Sequence, residues 1–240
     1  RAAPADTLAR YLGLGFHHIL IGLDHVAFLL CMLLAAERLS SRLWMITGFT
    51  LGHSITLSLG VLGLLSVRAS AVEALIGYTV ALLAAEAVLR RGARYAGWTL
   101  WLVVALLGAR SLHAGGALGA PVALALLVLT PAYLALARRS AGGDRLHLGM
   151  TAVFGLVHGL GFAGVLLALG VPAQQRGWAL AGFNLGVELG QLALLGAFAL
   201  ALGAARRLAS PAHARAATQA LAIALCAVGV YWLAGRSLVA

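Results

Sequence analysis

Phe16-His17-His18-Ile19-Leu20-Ile21-Gly22-Leu23-Asp24-His25 opens an apolar run that continues to about residue 36. An α-helix needs about 20 such residues to cross a bilayer. Ionisable side chains inside a span are costly and mark function by default. This one stretch therefore predicts both a membrane span and a polar site within it. Working outward, seven further apolar runs lie between arginine groups, near residues 43–65, 71–89, 96–112, 118–137, 147–169, 178–203 and 217–235. The expected fold is an all-α polytopic transmembrane helix bundle of about eight spans. Seven is the alternative count, because Gly115, Gly116 and Gly119 soften the boundary between the fourth and fifth runs.

Composition supports the same class. Of 240 residues, 62% are hydrophobic and 10% charged. Soluble domains carry about 25% charged residues, so this chain lacks the polar surface of a soluble enzyme. The spans fill most of the sequence and leave room for one domain, 1–240, with residues 1–15 as an extracytoplasmic or interfacial lead-in. The chain opens on Arg1 with no methionine and no signal peptide ahead of the first span. An upstream part, either a signal peptide or an extracytoplasmic domain, is therefore expected to have been removed, and a partner subunit is the other expected partner. Cys31 and Cys226 sit in separate apolar runs and form no metal or redox motif.

The net charge of +10 is not a nucleic-acid signal. All 17 basic residues are arginine, dispersed in short groups between apolar runs. Alternate loops carry eleven arginines against six, counting Arg38, Arg42, Arg90, Arg91, Arg94, Arg138, Arg139, Arg145, Arg206, Arg207 and Arg215 on the richer side. The richer side should be cytoplasmic. Both termini then face outward. Trp44, Trp98, Trp178 and Trp232 fall near span ends, as interfacial anchors do.

Polar residues recur at similar depth in four spans. His17 and His18 lie toward the outer mouth, and Asp24 and His25 deeper. His53, His158 and Glu188 fall near the middle of the second, sixth and seventh runs. His18 and His25 share a helix face but stand about 10.5 Å apart along a straight axis. They can bind one ion only if the helix bends, and Gly22 lies between them. Asn184, Glu188 and Gln191 make one stripe on the seventh run. The expected metal ligands are His18, Asp24, His25, His53, His158 and Glu188, with Asn184, Gln191, Ser54 and His17 as supporting donors. Nitrogen and oxygen ligands without cysteine suit nickel, cobalt or zinc. Glu86 is expected to pair with Arg90 at i+4, Glu73 to be interfacial, and His113, His147 and His213 to be solvated.

Gly48-Phe49-Thr50-Leu51-Gly52 is echoed by Gly182-Phe183-Asn184-Leu185-Gly186 five runs later. An odd offset reverses orientation, so the echo predicts an inverted repeat of the kind on which secondary transporters are built. Glycines beside His53, His158 and Glu188 predict close helix approach.

His18-x5-Asp24-His25 resembles the H-x5-D-H motif of the HupE/UreJ membrane proteins. Gly155, Val157, His158 and Gly159 match part of that family's second motif, with Val153, Phe154 and Gly161 replacing its Phe, first His and final Glu. The G-F-T-x-G-H-S and F-N-x-G-V-E-x-G-Q stretches resemble the family's broader second branch. The resemblance implies nickel or cobalt permeation through His18, Asp24, His25 and His158, and members of that branch can carry an extracytoplasmic N-terminal domain.

Three functions are expected to compete. The first is a divalent-metal permease whose partners are the ion and membrane lipid. The second is an intramembrane zinc hydrolase, in which the same cluster would activate water. The third is a non-catalytic subunit whose buried polar residues hold helices together.

Overall fold

In the computed structural model, the described residues are 3–36, 38–93, 95–114, 116–139, 144–168 and 171–238. Arg1, Arg94, Gly115 and the last residue of the sixth predicted run lie outside them. The described residues form helices and no strand. The helices are α1 (Pro4–Ile21), α2 (Leu23–Ala35), α3 (Leu39–Val61), α4 (Ala69–Arg90), α5 (Tyr95–Ala114), α6 (Ala120–Arg139), α7 (Asp144–Ala168), α8 (Arg176–Leu208) and α9 (Pro211–Leu238). A single 3₁₀ turn, Ala173–Gln175, leads into α8.

Every predicted run falls on a helix, but the first is broken. The helix begins at Pro4, so most of the predicted lead-in is helical. It stops at Gly22, whose backbone is extended, and α2 departs at 71°. Among the described residues, six helices are long and apolar enough to cross a membrane, or seven with the bent pair taken as one span. The long helix outside that set is α3, which carries Thr50, His53, Ser54, Thr56 and Ser58. Large apolar side chains such as Leu51, Trp98, Leu106, Leu124 and Leu200 project from the bundle's outer surface. An exterior this apolar belongs in lipid rather than water.

Glycines set the two tightest helix pairs. In α3 and α7, a methyl group on Gly52 would overlap the Ala152 carbonyl, and one on Gly155 would overlap that of Phe49. In α1 and α8, a methyl on Gly186 would overlap the Leu12 carbonyl, and one on Gly15 that of Phe183. Gly48 meets the Leu148 carbonyl, as Gly182 meets that of Leu8. Within each pair the contacts advance together along both helices, so each pair runs parallel. Between the pairs, Thr50 bonds Gln191 while His53 lies against Phe183. As α3 advances α8 recedes, so these two helices are antiparallel.

The sequence echo is therefore an inverted structural repeat. In it α3 corresponds to α8 and α1 to α7, contact for contact. Gly52 matches Gly186, Phe49 matches Phe183 and Gly15 matches Gly155. Carried along the same register, His18 matches His158, while His53 and Ser54 match Val187 and Glu188. Outside the repeat, α4 runs through the interior and packs antiparallel on α9 through Gly77 and Gly229.

Candidate metal centre

The break at Gly22 creates the site. With the helix bent, the His18 and His25 rings approach to 4.6 Å between centroids, against about 10.5 Å along an unbroken axis. The position has no room for a larger residue. A methyl on Gly22 would lie 2.8 Å from His25 Nδ1 and 2.9 Å from the His18 carbonyl. From α3, the fully buried His53 brings its ring to 6.4 Å from that of His25. One nitrogen from each of His18, His25 and His53 lies within 4.8 Å of the other two. Nitrogens bound at about 2.0–2.1 Å to a shared tetrahedral ion stand about 3.4 Å apart. Closing on an ion thus needs about an ångström of inward movement, within reach of side-chain rotation.

Asp24 orients one of these rings. Its Oδ1 accepts the His25 backbone N–H at 2.9 Å and lies 3.0 Å from His25 Nδ1. An imidazole that gives its Nδ1 proton to a carboxylate presents Nε2 as a lone pair, the arrangement that holds metal-binding histidines in place. His25 Nε2, His18 Nε2 and both nitrogens of His53 are buried with no hydrogen-bond partner. Buried polar atoms are usually paired, and these four sit in one small volume. Phe49, Phe162 and Phe183 wall it, with Phe162 at 4.1 Å and Phe183 at 5.6 Å from the His18 ring.

The other expected residues divide. His158 lies beside the group, 5.2 Å from the His25 ring. Its Nε2 is held by the Thr79 hydroxyl at 2.9 Å, and its Nδ1 is buried without a partner. Asn184 donates to the Leu180 carbonyl, while its buried Oδ1 has no partner. Gln191 accepts from Thr50 at 2.9 Å and Ser54 donates to the Thr50 carbonyl at 2.7 Å, so both serve helix contacts rather than the rings. His17 is exposed. Glu188 is half-buried on α8 and makes no hydrogen bond or ion pair among the described residues. It takes no part in the three-histidine group.

A second buried polar group lies on α4. Glu86 Oε1 accepts Arg90 Nε at 2.7 Å and meets His147 Nε2 at 3.0 Å, and Oε2 accepts the Tyr133 hydroxyl. The Glu86–Arg90 pair agrees with its i+4 spacing. His147, expected to be solvated, is instead buried against Glu86. The missed signal was helical spacing: His147, Thr151, Phe154 and His158 share one face of α7. His113 and His213 are exposed, and Glu73 sits at the surface 4.0 Å from Arg236.

Among curated proteins and among solved structures, no match was found. The family model described as HupE / UreJ protein matches residues 1–114 and 118–236. Nearly the whole chain is covered, so this protein belongs to the HupE/UreJ family of membrane proteins, a family associated with nickel and cobalt transport.

Proposed function

We propose that the chain is a permease for a divalent transition metal of the nickel or cobalt type. The carrying observation is the meeting of His18, His25 and His53 at a helix break, each with at least one ring nitrogen buried and unpaired. An ion supplies what those nitrogens lack. The ion is cargo: His18, His25 and His53 bind it, Asp24 fixes His25, and His158 stands next along the path. Three imidazole nitrogens and an aromatic wall favour a borderline ion over a hard one. Protons compete with metal for imidazole, so a proton gradient can drive release. The inverted repeat and interrupted helix are features of carriers that bind near the bilayer midplane.

The orientation follows from the arginines. Arg42, Arg90, Arg91, Arg206 and Arg215 gather around one cavity at one end of the bundle. The N-terminal segment meets the α7–α8 connection at the opposite end, through Thr7 and Gln175 at 3.2 Å. We read the arginine end as cytoplasmic and the membrane as a bacterial inner membrane.

The zinc-hydrolase reading draws on the same three histidines, which resemble a catalytic zinc site with one open position. Among the described residues it lacks a free carboxylate beside them, because Asp24 is engaged by His25 and Glu188 stands outside the group. The subunit reading has less support still. Glycines make the tight contacts between helices, and unpaired imidazoles contribute nothing to adhesion.

Nickel and cobalt uptake into proteoliposomes, together with equilibrium binding, tests the proposal. Wild type should accumulate metal, and His25→Ala and His53→Ala should not. Normal uptake by both variants would refute the site. A single metal that stays bound through purification and never crosses the membrane would favour the enzyme.

A further inference from the structure

A groove on the outer surface shares no residue with the three-histidine group. It lies where α5 and α6 meet the end of α4 and encloses about 420 Å³. That is within the range of about 300–1,000 Å³ usual for ligand pockets. Its walls are Gly97, Trp98 and Trp101 of α5 with Pro131, Leu134 and Arg138 of α6. Among the six helices long and apolar enough to cross a membrane, α5 is the least buried, so the groove opens toward lipid.

Pro131 sits inside α6 and has no N–H, so the Leu127 carbonyl four residues earlier lacks its helical donor. The Trp101 indole supplies one, with Nε1 donating to the Leu127 oxygen at 3.2 Å. That bond fixes Trp101 across the gap between the two helices. Trp98 stands edge-on to it, with ring centroids 6.5 Å apart, yet is 74% exposed. Gly97 brings no side chain, and a Leu134 methyl lies 3.1 Å from where a Cβ would stand. The floor there is Leu134 itself. Arg138 follows Pro131 by two helical turns, on the same face and about 10.5 Å further along the axis. It is exposed at the rim.

Such a slot suits a molecule with an apolar tail and an anionic head. A small anion would leave the tryptophans unused, and a bare hydrocarbon would leave Arg138 unused. Guanidinium forks match phosphate oxygens in pairs, and basic pockets between spanning helices take anionic lipid headgroups. Arg90, at the end of α4, donates to the Ala137 carbonyl at 3.2 Å, so the rim lies at the arginine-rich end of the bundle. On the orientation proposed above, that end faces the leaflet where anionic lipids concentrate. We propose that the groove holds one anionic phospholipid. An acyl chain lies against Trp98, Trp101, Pro131 and Leu134, and the phosphate rests on Arg138.

The test places the protein in nanodiscs of phosphatidylcholine mixed with phosphatidylglycerol, and native mass spectra read the lipid retained. Both faces carry the same lipids, so the result depends neither on the orientation nor on metal transport. Ala135 also lines the groove, and A135F fills it without touching a charge. Two controls lie outside it. L124F adds bulk at another exposed position of α6, and R110Q removes an arginine at the far end of α5. Wild type and both controls should retain one phosphatidylglycerol per chain in preference to phosphatidylcholine. R138Q should hold it about fivefold more weakly, as one arginine contact at an anionic surface implies, and A135F should lose it. Retention of both lipids in equal amounts, or of phosphatidylglycerol by A135F at the wild-type level, would overturn the proposal. So would a dimer that A135F dissolves, since a second copy of the chain would then occupy the groove. Melting in pure phosphatidylcholine checks that the variants are folded, and R138Q keeps the test open where A135F misfolds.

Discussion

Two groups of ionisable residues are buried in this bundle, and they differ in what they lack. Around Glu86 every charge has a partner from the chain: Arg90, His147 and Tyr133 converge on its two oxygens. Around His25 the chain supplies one carboxylate and leaves ring nitrogens on three histidines unpaired. The shared carboxylate is fully engaged and holds helices in place, here α4, α6 and α7, and His147 Nδ1 is the one nitrogen of that group left buried without a partner. A group left largely unsatisfied is complete only with something from outside. Burial alone would have ranked the two sites equal, and pairing separates them.

The sharpest way to break this contrast is His53→Ala. It removes a buried ligand whose ring also stacks on Phe49 and Phe183. Metal binding and uptake should be lost, and the melting temperature of the metal-free protein should fall only by the cost of the cavity left behind. Binding calorimetry and a thermal melt read both. Next is Glu86→Ala, which strands His147 in the interior and takes the carboxylate from Arg90, exposed at the end of α4. Breaking a fully buried ion pair by removing one partner costs about 3–5 kcal/mol, and with Arg90 open to solvent the loss should be smaller, so the variant should melt lower. Whatever remains folded should bind metal with unchanged affinity. A loss of affinity there would show that the two groups form one site.

Asp24→Asn keeps the shape but weakens the hold on His25. Loss of such a supporting carboxylate lowers metal affinity about 10–100-fold, and the same calorimetry reads it. Gly155→Ala should destabilise by about 1–3 kcal/mol through overpacking, since the added methyl meets only rigid backbone, that of Phe49 and His53. Glu188→Gln should have the smallest effect, leaving affinity within about twofold of wild type if the carboxylate is no ligand. A large loss would return Glu188 to the site in a conformation other than this one.

Much of this was legible in the sequence. Helix content and helix positions followed from apolar runs, because lipid forces every spanning segment to satisfy its own backbone. The His18–His25 spacing even posed the right condition, that the two could meet only across a bend at Gly22. Depth was the weaker guide. It put Glu188 beside His53, whereas the face of a helix decides which residues meet, and Glu188 takes the place in the repeat that Ser54 holds in α3. The phenylalanine wall was hidden because Phe49, Phe162 and Phe183 come from three helices whose contact no spacing rule reports. His147 was misjudged for lying near a span end, although it shares a face with His158.

The break at Gly22 has one more consequence. In an unbroken helix His18 and His25 would stand two turns apart, and no three-nitrogen group would exist. At Gly22 φ is −73° and ψ is 98°, so φ is already near its helical value while ψ is not. The distance between two of the three ligands therefore depends chiefly on a single torsion angle. Turning that one bond toward its helical value would pull the group apart, so the site's affinity for its cargo is tied to the conformation of one peptide unit.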